Sequence, residues 1–199
     1  LGAELSMGSP VTGLAPDRPI GLEGALPGDA LLLSAPIGSG TLLAAEMALK
    51  ARGPWIAALW QEMTRGQGVA AEILAPAAHA MTDVTGFGLA GHLMNMMRAS
   101  GTGARLDLAA VPLFEGAETL AAAGLRSTLY AENRMTLAGA ALPDTPRGAL
   151  LCDPQTGGGL LAAVAADVAD GLLAKLEAAG YRAARIGTVI EPAGQLEVT

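Results

Sequence analysis

The segment HAMTDVTGFGLAGHLMNMM, His79 to Met97, sets one carboxylate among two threonines and three glycines, directly ahead of an apolar run. Such hard oxygen donors suit Mg2+, which binds through one or two carboxylates plus phosphate oxygens and keeps several waters. Asp83 is the candidate metal ligand. Thr82 and Thr85 add hydroxyl oxygens, and Gly86 and Gly88 let backbone and ligand approach closely. A helix starting here would also offer free N–H groups and a positive dipole end to an anion. The competing role is that Asp83 or Thr85 caps that helix, and spacing alone favours it, because caps outnumber metal sites.

Two further glycine-rich stretches could meet a ligand. APIGSGTLLAA, Ala35 to Ala45, has the strand, glycine loop and helix order that cradles phosphates. It lacks the lysine and spacing of a Walker A loop and the dinucleotide fingerprint, and an ordinary strand-to-helix turn is the reading that the residues alone favour. CDPQTGGGLL, Cys152 to Leu161, reads either as a close-approach loop against a ligand or another domain, or as a tight turn at a crowded sheet edge. His79 and His92 show no metal-binding spacing, and His92 reads as packing or helix surface. Cys152 ends an apolar run and reads as a small buried hydrophobe. Trp55 and Trp60 read as packing, and Met94, Met96 and Met97 as core or interface.

The elements that must position these residues alternate between strand and helix. A short strand and loops are expected up to Pro27, with a turn at Pro27–Gly28 and a strand in DALLLS. Helices follow from Thr41 as cap to a stop at Gly53–Pro54, then over 55–65 and 69–74. HAMTDV is strand-like. In the helix after it Leu89, Leu93, Met96 and Met97 share a face, and Gly101 closes it. ARLDL alternates as a strand does, 115–123 is a short helix, and 128–141 is ambiguous. ALLCD and GGLLAAVA read as two buried strands, Asp167 as the cap of a helix over 168–179 ending at Gly180, and RAARIGTVIE with GQLEVT as a closing hairpin. This order predicts an α/β (α+β) fold, a mixed β-sheet with helices packed on one face.

Composition bounds the function. Of 199 residues 51% are hydrophobic, which supports a sizeable core and argues against global disorder. Only 3% are aromatic, too few for a nucleic-acid stacking platform. A net charge of −7 disfavours a nucleic acid or an anionic membrane as partner, although a nucleotide can still be met by backbone N–H groups and a metal. The single cysteine excludes a disulfide framework or cysteine cluster within the chain and fits a reducing compartment. The longest apolar candidate, LLAAVAADVADGLLAKL, is broken by Asp167, Asp170 and Lys175, no signal peptide is visible, and the mean hydropathy of +0.41 reads as an Ala-rich, well-buried protein. A cytoplasmic location is expected. The chain starts at Leu1 rather than Met, so it is expected to begin inside a longer product.

Taken together and in this order, TDVTGFGLAGHL, PIGSG and CDPQTGGGLL resemble selenophosphate synthetase (selenide, water dikinase), as does ELSMGSPVTG near the start. The wider superfamily includes aminoimidazole ribonucleotide synthetase, thiamine-monophosphate kinase and a hydrogenase maturation factor. The resemblance implies that residues 1–27 end an N-terminal ATP-binding domain and linker, and that 28–199 form a C-terminal domain like that of aminoimidazole ribonucleotide synthetase-like proteins. It implies a homodimer turning selenide, ATP and water into selenophosphate, AMP and orthophosphate. The family's reactive cysteine or selenocysteine and its lysine have no counterpart here, so no catalytic residue is expected in this chain. Asp83 matches the family's magnesium-binding aspartate, and Thr82, Thr85, Gly86, Gly38, Ser39, Gly40 and Asn133 are the expected ATP contacts. Three places depart from the family: Gly157 stands where serine is usual, Ala90 where leucine is usual, and GLRSTLYAEN replaces a glycine-rich stretch before Asn133. Two alternatives stay open: a superfamily enzyme acting on a purine precursor or thiamine monophosphate, and a non-catalytic domain for dimerisation or selenium transfer.

Overall fold

The computed structural model describes residues 10, 12–14, 19–137 and 139–199. The strand expected at the start, and most of ELSMGSPVTG, fall outside them. Among the described residues the elements in chain order are β1 (Ala30–Leu33), α1 (Ser39–Met47), α2 (Gly53–Met63), α3 (Gly68–Leu74), β2 (Ala78–Asp83), α4 (Gly88–Ser100), β3 (Gly103–Leu106), α5 (Ala117–Ala122), α6 (Tyr130–Thr136), α7 (Pro146–Leu150), β4 (Leu160–Val164), α8 (Ala169–Ala178), β5 (Ala184–Ile190) and β6 (Leu196–Val198).

The strands form one sheet in the order β2-β4-β1-β5-β3-β6. Every pair is antiparallel except β3 with β6. The central strand β1 is apolar throughout because both of its faces are covered. Leu31 and Leu33 join the larger core with Leu42 of α1, Ile56 and Leu59 of α2, Leu120 of α5, and the α4 stripe Leu89, Leu93, Met96 and Met97. Ala30 and Leu32, one residue out of phase, face Ala70 and Leu74 of α3 and Leu172 and Leu176 of α8. The helical layer expected on one face thus has a smaller counterpart on the other. Along the outer edge of β2 runs the segment preceding β1, with Met81 N–H donating to the Gly21 carbonyl at 2.9 Å.

Several local expectations give way to tertiary context. ALLCD is not a strand. Its first residues end α7, whose start is fixed by Pro146 and by Thr145 Oγ1 accepting from the Gly148 N–H at 3.0 Å. A short apolar run has no periodicity of its own to separate a buried helix from a buried strand. The closing hairpin does not form either: β3 lies between β5 and β6, and the Gly194 N–H donates to the Thr102 carbonyl at 2.8 Å, carrying the chain past β3. α1 begins at Ser39 with Gly38 as its N-cap, so Thr41 lies within the first turn. It ends at Met47, Leu49 then turns the chain at φ 56°, and Gly53–Pro54 opens α2 instead of closing α1. The N-cap of α8 is Val168 and no side chain caps it, so Asp167 has no such role. Trp60 is exposed, and Trp55 lies against the core with its indole N–H donating to Glu115 at 3.1 Å.

Candidate metal centre

Asp83 is the last residue of β2 and pairs in register with Leu160 of β4. Its side chain is exposed, and Thr82 Oγ1 approaches its Oδ1 at 3.5 Å. The backbone behind it is held firmly. The Val84 N–H donates to the Gly159 carbonyl at 2.9 Å, and the Thr85 carbonyl accepts from the N–H groups of Gln155 and Gly88, both at 3.0 Å. The Thr85 N–H donates to His92 Nε2 at 3.1 Å. Beneath the turn the buried Asn133 amide donates to the Gly86 carbonyl at 2.8 Å and to the Cys152 carbonyl at 3.0 Å.

α4 has Phe87 as its N-cap and no side-chain capping bond. Neither Asp83 nor Thr85 serves as the cap that spacing alone favours. The Asp83 carboxylate therefore ends a rigid strand without a structural duty of that kind. No three His, Cys, Asp or Glu residues gather around a common point among the described residues, so Asp83 stands as a single carboxylate with hydroxyl neighbours. That donor set is hard and oxygen-only. It matches Mg2+ carried with phosphate oxygens and does not match a metal that needs nitrogen or sulfur.

The other two motifs meet each other. Gln155 Oε1 accepts from the N–H of Gly38 at 2.9 Å, from the N–H of Ser39 at 3.1 Å and from Ser39 Oγ at 3.1 Å. The Gly40 N–H donates to the Pro154 carbonyl at 3.1 Å. Asp153 takes the Thr41 N–H at 3.1 Å and the Thr41 hydroxyl at 2.8 Å. The N–H groups expected to cradle a phosphate at Gly38, Ser39 and Gly40 are thus satisfied within the chain, and α1 is capped from a distant loop. Burial pushes the Asp153 carboxyl up to about 6, against the opposing pull of its bonds to Thr41, Gln155 and Gly40. Gln155 joins the two halves of the site, because its side chain holds the start of α1 while its N–H holds Thr85.

Close backbone contact explains the glycines. Gly88 sits at φ 71°, and a Cβ there would lie 2.8 Å from the Cys152 carbonyl carbon. Gly157 sits at φ 60°, and a Cβ there would meet the Met63 carbonyl oxygen at 2.7 Å, so glycine suits this position in this chain. Cys152 is buried and its thiol is pushed up to about 11, chiefly by burial. Thr82 and Asp83 at the end of β2 and Thr85 and Gly86 just after it therefore lie along one segment, with Asn133 bonded to the Gly86 carbonyl, while Gly38, Ser39 and Gly40 face Gln155 and Asp153. His92 is the residue that spacing did not single out. It is buried and lies on the Thr85 amide, and burial lowers its pKa while the Asp83 charge partly raises it.

An AIR synthase-like C-terminal domain is the class that this sheet and its three converging loops define. The family model described as AIR synthase related protein, C-terminal domain, matches residues 27–198, and the chain belongs to that family. Its curated relatives include selenide, water dikinases. One from Burkholderia pseudomallei (strain K96243) is 38% identical over 182 residues, covering 86% of this chain and 50% of the relative. Among solved structures, thiamine-monophosphate kinase from Stenotrophomonas maltophilia K279a aligns with a TM-score of 0.65 at 19% identity, covering 90% of this chain and 52% of that one. A hydrogenase maturation protein in complex with ATP aligns with a TM-score of 0.56 at 20% identity, covering 90% and 49%. The chain spans about half the length of the curated relatives it matches. No helix among the described residues is long and apolar enough to cross a membrane.

Proposed function

We propose that this chain is the C-terminal half of a cytoplasmic, homodimeric enzyme that makes selenophosphate from selenide, ATP and water, releasing AMP and orthophosphate. The observation that carries the proposal is Asp83: an exposed carboxylate at the end of a strand, on a backbone bonded from several sides, with no capping role. The selenide, water dikinase relatives support the substrate, and a structural neighbour bound to ATP supports the nucleotide.

In this reading Asp83 is this chain's ligand to Mg2+. Thr82, Thr85 and Gly86 lie beside the phosphates, with Asn133 and the Gly38–Gly40 turn acting as supports. The metal supplies neutralisation of phosphate charge when bound. What this chain supplies is a carboxylate held in place in advance. The reactive cysteine or selenocysteine, the lysine and further aspartates come, in this reading, from the half of the relatives' length that this chain does not span. Asp83→Asn in the whole protein should abolish selenide-dependent ATP consumption with little loss of folding. This chain alone should yield no selenophosphate by phosphorus NMR. Full turnover by Asp83→Asn defeats the proposal.

A further inference from the structure

His92 lies on α4 and is turned onto the backbone just after the exposed carboxylate. It is 9% exposed, and its ring packs beside Phe87 with centroids 5.6 Å apart. Its Nε2 accepts from the Thr85 N–H at 3.1 Å, with Thr85 Oγ1 at 3.3 Å. An accepting Nε2 places the ring proton on Nδ1.

The Thr85 peptide is thereby fastened from two sides. Its N–H is held by a side chain of α4, and its carbonyl by the Gln155 and Gly88 N–H groups. Without an acceptor on α4, the Thr85 N–H loses that partner, while the Val84 N–H and the Thr85 and Gly86 carbonyls keep theirs. Outer partners of this kind set how well a ligand residue holds its metal, although they never touch it.

We propose that His92 is a positioning residue: by accepting from the Thr85 amide it holds the turn after Asp83 in the conformation that binds a divalent cation. This rests on the reading of Asp83 as a metal ligand. Three variants separate the possibilities. His92→Phe keeps an aromatic ring beside Phe87 and removes the acceptor. His92→Leu removes the acceptor with a smaller, aliphatic side chain, should the phenylalanine fail to fold. His92→Gln restores an acceptor at a similar reach.

Mn2+ alone is the probe, titrated into the whole protein by water-proton relaxation, with Asp83→Asn as reference and hydrogen exchange at the Thr85 amide read in parallel. In His92→Phe the Mn2+ dissociation constant should rise roughly tenfold, and the Thr85 amide should exchange roughly fivefold faster, as loss of one ordinary hydrogen bond implies. His92→Gln should return both towards wild type. Unchanged Mn2+ affinity in folded His92→Phe or His92→Leu, when Asp83→Asn has lost it, overturns the positioning role and leaves the Asp83 reading standing. Undiminished Mn2+ binding by Asp83→Asn removes the Asp83 reading, and the His92 proposal falls with it.

Discussion

Replacing Gln155 with leucine tests how the two glycine-rich loops are held together. The change keeps a buried side chain of similar size and removes the oxygen on which the Gly38 and Ser39 N–H groups and the Ser39 hydroxyl converge. The hydroxyl can turn elsewhere, and its oxygen still accepts from the Thr156 N–H at 2.9 Å. The two backbone donors cannot turn. Both sit at the start of α1, where Gly38 and Ser39 are buried. Each orphaned buried donor costs about 1–3 kcal/mol, so the loss should be about 2–6 kcal/mol. That is a large part of the roughly 5–15 kcal/mol that holds an ordinary domain together. At about 2–4 °C per kcal/mol for a chain of this size, a mid-range loss lowers Tm by roughly 8–16 °C. Urea unfolding followed by circular dichroism should show a lower midpoint with an unchanged slope. A loss below about 1 kcal/mol would mean that the α1 donors have another partner, and the account of the loop pair would fail.

Other outcomes follow from the same contacts. Asp153 has its carboxyl raised from 3.8 to about 6, so the folded state binds this proton more tightly than the unfolded chain does. Its contribution to stability is complete below the unfolded value and is lost as pH rises through about 6. The stability of wild type relative to Asp153→Asn should therefore fall by about 2 kcal/mol between pH 4 and pH 7 in urea titrations, and a flat difference would contradict it. Asn133→Asp replaces the amide that donates to the Gly86 and Cys152 carbonyls with oxygens facing oxygens, and should cost more at neutral pH than Asn133→Leu, by about 1–3 kcal/mol in the same assay. Gly157→Ser, which installs the residue usual in selenophosphate synthetases, should destabilise by at least about 1–2 kcal/mol, because φ is 60° and the Met63 carbonyl leaves no room for a Cβ.

Much of the fold could be read from local pattern. The α4 stripe from Leu89 to Met97 and the turn at Pro27–Gly28 follow from periodicity and turn chemistry, and both stand in the structure. What could not be read is set by partners far away in the chain. The N–H groups of α1 are consumed by Asp153 and Gln155, 112 to 117 positions on, and no local window shows that a glycine loop already has its acceptors. For the same reason GQLEVT was legible as a strand but not as the parallel neighbour of β3, since a turn fixes a direction and not a partner. Asp83 was legible as a candidate from residue type. Its lack of a capping role was not, because which residue caps α4 depends on where the first helical turn settles. His92 was hidden for a related reason: its role depends on the turn folding back towards α4, and spacing alone does not show that fold-back.

The central claim is that Asp83 carries a divalent cation alongside nucleotide phosphates. Crystals of the whole protein grown with Mn2+ and a non-hydrolysable ATP analogue test it directly, through the anomalous signal of the metal. The account predicts a manganese peak about 2.0–2.3 Å from an Asp83 carboxylate oxygen, shared with phosphate oxygens. A fully occupied nucleotide whose metal peaks all lie on other carboxylates, with Asp83 facing solvent, would contradict it.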